Sequence, residues 1–332
     1  MLEIGTQSPR SWQLMIPQPP APPRFSAPSA PPAPGTAGAD KSAAASTEPK
    51  KTSNSIGLSP VVQAFLLHLQ ELGFTAINGT DSGDTLSGWE KSLVDGGDGN
   101  DVIDVWSSSV VDSGAGDDSV RAWSGSGVYG GAGNDQIDIW SDSVAEGGDG
   151  NDTIRAWSNT IVSGGNGDDS ISAWSDSQVD GGDGNDAISA WSNSRVSGGA
   201  GDDVISVFSG AFADGGSGND TISADNGSVV SGGSGDDTIS IDRGSTALFS
   251  AGDGKDVINA GRDATIKLGA GLTSDNMQVT VSGSTATLSF GDGSDQITVN
   301  MGPGSPVTVA FADGTSMQIN AESFAGRLKR VA

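Results

Sequence analysis

The chain of 332 residues carries 51 Gly, no Cys, one His and 5% aromatics, with 42 Asp+Glu against 16 Lys+Arg for a formal charge of −26. That balance excludes nucleic acid and anionic membrane surfaces as partners, since both need cationic side chains, and makes cations the natural counter-charge. Disulfides, thiolate metal sites and most imidazole-dependent mechanisms go with the missing residues, and no apolar run reaches the length of a membrane helix.

Residues 1–57 are a low-complexity arm. The run Pro17 to Pro34 is rich in Pro and Ala, and Ala, Ser, Thr and Lys follow it. Such a composition predicts an extended, disordered tether without a core. The first 15 residues lack the basic start and apolar stretch of a cleavable signal peptide. Residues 58–78 are assigned to a capping element, with a short helix over 59–74. Ser59 caps it, Pro60 suits its first position, Gly73 ends it, and Val61, Phe65, Leu66 and Leu69 form an apolar face. His68 lies there without a second metal-ligating group nearby, so it reads as a structural or solvent-facing residue.

From 79 to 262 the sequence repeats. Asp84, Asp101, Asp118, Asp135, Asp152, Asp169, Asp186, Asp203, Asp220 and Asp237 fall 17 residues apart, and Asp256 follows after 19. Two positions after each Asp stands an aliphatic residue, such as Ile103, Ile154 or Ile239. Five positions after it stands an aromatic: Trp89, Trp106, Trp123, Trp140, Trp157, Trp174, Trp191 and then Phe208. A Ser or Thr column runs from Ser92 to Ser245, broken by Ala211, and Val94, Val111, Val128 and Val162 open a second aliphatic column. So many copies in register define a solenoid.

Each copy opens with GGxGxD, as in Gly96-Gly97-Asp98-Gly99-Asn100-Asp101. Glycine permits backbone angles that let carbonyl oxygens converge, and Asp adds the hard anionic oxygen that Ca²⁺ prefers among its six to eight ligands. The motif resembles the calcium-binding nonapeptide of the repeats-in-toxin (RTX, haemolysin-type) family, over rather more than half the chain. The resemblance implies an all-β fold, a parallel β-roll of about ten coils whose Gly-rich turns hold Ca²⁺. It implies as metal-site residues Asp101, Asp118, Asp135, Asp152, Asp169, Asp186, Asp203, Asp220, Asp237 and Asp256. With them go Gly97, Gly99, Gly131, Gly133, Gly148, Gly150, Gly165, Gly167, Gly182 and Gly184, then Gly199, Gly201, Gly216, Gly218, Gly233 and Gly235.

This chain departs from the family pattern. The second half of each coil is eight residues, A-W-S-x-S-x-V-x, without Gly-Gly or a motif Asp. Calcium is therefore expected on one side of the roll only, in single file, as about eight or nine ions. The motif drifts toward the ends: Asn78 to Asp84 holds part of the turn, Ser113 replaces the first Gly of one copy, and Ala251 that of the Asp256 copy. The Trp column admits two readings, a stacked ladder that staples the calcium-free side or an exposed stripe for a sugar polymer.

Residues 263–332 read as a C-terminal β domain. Gln278 to Val281, Thr285 to Phe290, Gln296 to Val299 and Val307 to Phe311 alternate as antiparallel strands, with turns at Gly291-Asp292-Gly293 and Asp313-Gly314. SGSTATLSFGDGSDQITV and FADGT resemble the domain that follows RTX repeats in secreted proteins, next to an uncleaved export signal. The tail Glu322 to Ala332 reads as a short amphipathic helix, although its end is basic where such signals end acidic and apolar.

No enzyme is expected, because HExxH and GxSxG are absent and every motif Asp has a repeat-wide duty. The resulting expectation is a secreted, extracellular calcium-binding β-roll exported by a type I-like route. It folds on calcium and serves as a structural or adhesive module. Its expected partners are calcium, the export machinery through the C-terminal region, and a glycan or cell-surface polymer. The alternatives are a polysaccharide- or ice-binding module using the Trp or flat β face, and a non-enzymatic effector of a needle-type secretion system.

Overall fold

The computed structural model describes residues 72–302, 306–320 and the backbone of 330–331. The arm 1–57 and the helix expected over 59–74, up to residue 71, lie outside the described residues.

One coil shows how the repeat folds. Thr153–Ala156 is a strand that points Ile154 and Ala156 inward. The chain then turns over Trp157–Thr160, with Asn159 at φ 56°, a left-handed angle that Asn tolerates better than most side chains. Ile161–Asn166 returns with Val162 and Gly164 inward. Gly167 and Asp168 make the second turn, and Asp169 starts the next coil.

Within the repeats, stacking is parallel. Ile154 pairs with Ile137 on one side and Ile171 on the other, and Val162 with Ala145 and Val179. Among the described residues two sheets result, one of fifteen strands and one of fourteen, called sheet A and sheet B. Sheet A contains the Gly-Gly strands such as Ile161–Asn166; sheet B contains the short strands such as Thr153–Ala156. The core between them is built from columns, and Ile103, Ile137, Ile154, Ile205 and Ile239 are all fully buried. Each such side chain contributes roughly 1.5–3 kcal/mol by leaving water.

Both ends of the roll differ from the sequence boundaries. Thr75–Thr80, assigned in part to the capping element, is a strand of sheet A in register with Ser92–Gly97. Ile77 pairs with Val94 and so begins the inward aliphatic column, which is why the roll starts before residue 79. At the other end, strands expected in the C-terminal β domain are hydrogen-bonded to the two sheets of the roll. Thr265–Leu268 still stacks in sheet A; Asp295–Met301 pairs parallel with Lys255–Ala260, and Val307–Ala310 pairs parallel with Thr265–Leu268. Met277–Ser282, Thr285–Phe290 and Ser316–Ile319 add antiparallel strands outside these. Ile297, Val299, Val307 and Val309 extend the buried core, so the apolar columns simply run on.

The helix expected over Glu322 to Ala332 falls mostly outside the described residues. Its residues Arg330–Val331 are in strand conformation, antiparallel to Ser316–Ile319. That strand offers the free edge hydrogen bonds that a two-residue segment satisfies by pairing. Among the described residues no helix is long and apolar enough to cross a membrane.

Candidate metal file along the glycine-rich turns

Each glycine-rich turn delivers its Asp to the inner side of the sheet B strand. Asp101, Asp118, Asp135, Asp152, Asp169, Asp186, Asp203, Asp220, Asp237 and Asp256 are all buried, none more than 3% exposed. One carboxylate oxygen, Oδ1, accepts the backbone N–H of the Asp one coil earlier. Asp135 N–H donates to Asp152 Oδ1 at 2.7 Å, and the chain of such bonds runs from Asp84 to Asp256. The other oxygen, Oδ2, is buried without a hydrogen-bond partner in all ten residues. Ten partnerless carboxylate oxygens in one file are costly, since a buried charge needs pairing.

Electrostatics follow from that burial. Loss of solvent raises the carboxyl pKa of Asp118, Asp135, Asp152, Asp169 and Asp237 to about 6, and Asp203 to about 7. Asp256 is pushed up to about 8, and Asp186 and Asp220 are raised for the same reason. The N–H bond from the preceding Asp works against the shift, while neighbouring carboxylates add to it. A cation among these oxygens would remove both penalties.

The first glycine of each motif faces the partnerless oxygen. A Cβ built on Gly147 would collide with Asp152 Oδ2 and with the carbonyl oxygen of Gly164 in the next coil. The same pair of oxygens, one carboxylate and one next-coil carbonyl, surrounds Gly96, Gly130, Gly164, Gly181, Gly198 and Gly215. Seven cradles therefore combine a glycine, a buried Asp oxygen and a carbonyl. They belong to Asp101, Asp135, Asp152, Asp169, Asp186, Asp203 and Asp220. The remaining positions differ. At Gly232 the nearest atoms all belong to Asp237, and Asp84 Oδ2 already accepts from Thr80 N–H at 2.7 Å and from its hydroxyl at 2.8 Å. In the coil before Asp256, the buried ring of Phe249 takes the inward place that glycine holds elsewhere.

The second and third glycines, which the sequence singled out, sit differently. At Gly148 (φ 119°) and Gly150 (φ 126°) a Cβ would collide with the carbonyls of Gly131 and Gly133 in the preceding coil, so these glycines permit the close approach of the turns. Gly97, Gly99, Gly131, Gly133, Gly165, Gly167, Gly182, Gly184, Gly199, Gly201, Gly216, Gly218, Gly233 and Gly235 share positive φ. The first glycine, not among the residues implied as ligands, is the one against the partnerless oxygen. The signal was its place in the Gly-Gly pair. A second, outward ladder was also missed: Asn151 N–H donates to Asn134 Oδ1 at 2.8 Å, and Asn185 N–H to Asp168 Oδ1 at 2.8 Å. Asn and Asp are mixed in that column, which hides a role both side chains fill alike.

Among the described residues no three His, Cys, Asp or Glu side chains converge on one point. A cation in the file would meet few carboxylates and take its other ligands from backbone carbonyls. That donor set suits a hard ion such as Ca²⁺, which accepts carbonyl oxygens and irregular geometry.

The opposite turn is tied together through its Ser column. Ser126 accepts Ser109 N–H at 3.2 Å and donates to the Trp106 carbonyl at 3.2 Å, locking successive coils together. Outside it the aromatic rings form one continuous stack from Trp89 to Phe208. Trp123 and Trp140 lie 4.2 Å apart at 15°, Trp140 and Trp157 4.7 Å apart at 1°. The rings from Trp106 to Phe208 are partly buried, covering one another's faces, and Trp89 at the end of the stack is exposed. Sequence posed ladder and exposed stripe as alternatives; the structure has a ladder of partly buried rings.

Fold and site define a class: a two-sheet parallel β-solenoid with a single file of buried carboxylates on its Gly-rich side. No family model matches the chain, and no curated protein matches it. Among solved structures it is similar to a hyperactive, Ca²⁺-dependent, β-helical antifreeze protein from an Antarctic bacterium, at 21% identity and a TM-score of 0.43. That likeness covers 60% of this chain and 80% of the other.

Proposed function

We propose that this protein is a calcium-dependent β-solenoid that folds when Ca²⁺ enters the file of buried carboxylates and then serves as a rigid extracellular structural or adhesive module. The observation that carries this reading is the row of ten buried Asp Oδ2 atoms without a hydrogen-bond partner. When bound, Ca²⁺ supplies the counter-charge these oxygens lack. The Asp residues and the turn carbonyls would hold it, and the glycines leave it room. The seven complete cradles favour about seven ions, fewer than the eight or nine expected from sequence. With few carboxylates per ion, affinity falls in the weaker part of the calcium range, suited to the calcium-rich exterior of cells. Counting bound calcium by native mass spectrometry tests the reading. About seven ions per chain support it, and a chain that stays calcium-free at millimolar Ca²⁺ overturns it.

A second reading concerns what the module touches, and it rests on the outer face of sheet B. In the first coils this face carries Asp104, Arg121, Asp138 and Arg155, paired at 3.6 Å (Arg121–Asp104) and 3.5 Å (Arg155–Asp138). Beyond them two rows carry no charge. Ser172, Ser189, Ser206, Ser223 and Ser240 stand in one register row that continues through Asn259, Asn300 and Thr285. Asn300 Nδ2 donates to Asn259 Oδ1 at 2.9 Å, fixing part of the row. The neighbouring row of Ser170, Ala187, Val204, Thr221, Thr238, Val257 and Thr298 is also uncharged. In a chain of charge −26, a flat neutral face of hydroxyls and methyls favours docking on an uncharged hydroxyl-bearing surface, such as ice or a neutral polysaccharide. Ser206→Lys is expected to weaken retention on such a surface without changing the calcium count. Absence of retention by the unaltered protein on either surface removes this reading.

A further inference from the structure

We infer that Ser113 plugs one position of the calcium file, so that the Asp101 site stands alone and the six sites from Asp135 to Asp220 form a separate run. This rests on the calcium reading above. In the other complete cradles the inward position is glycine, and a Cβ there would run into the Asp Oδ2 and the next coil's carbonyl. At Ser113 a Cβ stands in that place. The side chain is fully buried, and its hydroxyl donates to the Gly130 carbonyl at 2.8 Å and to the Tyr129 carbonyl at 3.1 Å. The Gly130 carbonyl is the oxygen that its counterparts, such as Gly164, direct at the cradle.

The backbone registers the intrusion. The sheet A strand of this coil shrinks to Val110–Asp112, while the following one spans Gly127–Ala132. Pairing resumes only through isolated bridges from Asp98 to Ala115 and from Ala115 to Ala132. Space and a ligand are thus both taken by protein atoms beside Asp118, and the Ser113 side chain lies close enough to that carboxyl to work against the rise that burial causes in its pKa. A cation at Asp101 has no neighbour across this coil, so it loads independently of the longer run.

The test counts bound calcium by native mass spectrometry on the full chain at saturating Ca²⁺. Ser113→Gly is expected to bind one ion more than the unaltered protein, and Ser113→Ala the same number, because its Cβ still fills the place. Gly181→Ser, which installs the plug in mid-run, is expected to bind one fewer. An unchanged count in Ser113→Gly, or a loss in Ser113→Ala that makes the hydroxyl a ligand, overturns the inference. If Ser113→Gly does not fold, Gly181→Ser decides alone, and a retained count there overturns it. Absence of calcium from the unaltered protein instead overturns the calcium reading itself, so the two failures are distinct.

Discussion

Asp169 hangs from the coil before it by a single oxygen. Asp152 N–H donates to Asp169 Oδ1 at 2.7 Å, while Asp169 Oδ2 is buried with no partner. One side chain therefore sets the register between coils and carries the charge that must be neutralised. The two duties separate chemically, since the first needs an acceptor and the second an anion.

Asp169→Asn separates them. The amide oxygen keeps the bond from Asp152, and the amide nitrogen replaces the partnerless oxygen beside the Gly181 carbonyl. In chelator the variant is expected to melt higher than the unaltered protein, because it deletes a buried charge. The gain is roughly 1–3 kcal/mol, the usual cost of an unsatisfied buried polar group. In calcium the order reverses, since one site loses its anion. Thermal melts in both buffers check this opposite pair of signs.

Acidity should act on the calcium-free protein in the direction opposite to ordinary acid denaturation. Asp135, Asp152 and Asp169 hold protons up to about 6 in the fold, Asp203 up to about 7 and Asp256 up to about 8, against 3.8 for a free Asp. Between those values the folded chain binds more protons than the unfolded one, so its stability falls as pH rises. In chelator, β structure is expected to be greatest near pH 4 and to diminish toward pH 8. Calcium competes with the same protons, so its midpoint concentration is expected to rise below pH 6. Circular dichroism across pH, with and without Ca²⁺, measures both.

Trp157→Ala removes two stacked contacts, to Trp140 at 4.7 Å and to Trp174 at 5.1 Å. Each aromatic pair contributes about 0.5–1.5 kcal/mol, so a loss of roughly 1–3 kcal/mol is expected in the calcium form. A partly exposed ring leaves no closed cavity, which keeps the loss below that of a fully buried Trp. Denaturant unfolding gives the loss, and acrylamide quenching of the unaltered protein should fall between buried and free Trp.

Much of the architecture was legible because repetition turns weak signals into strong ones. The 17-residue spacing of Asp118 to Asp237 placed the turns, and the Ile103 and Val111 columns placed the core. What repetition could not convey was which group meets which across coils. Gly147 and Gly148 are adjacent in sequence, yet one faces Asp152 Oδ2 and the other the Gly131 carbonyl, a distinction made only by stacking. Residues 265–320 lost the motif but kept its alternation. Alternation alone does not tell a separate antiparallel domain from strands added to existing sheets.

The most direct measurement is far-ultraviolet circular dichroism of the full chain, first in chelator at pH 7.5 and then through a calcium titration. The expected result is a weak β signal that rises cooperatively to a full one by millimolar Ca²⁺, with Mg²⁺ a poor substitute because it demands a tighter octahedral shell. A full β spectrum in chelator, unchanged by calcium, would contradict calcium-coupled folding.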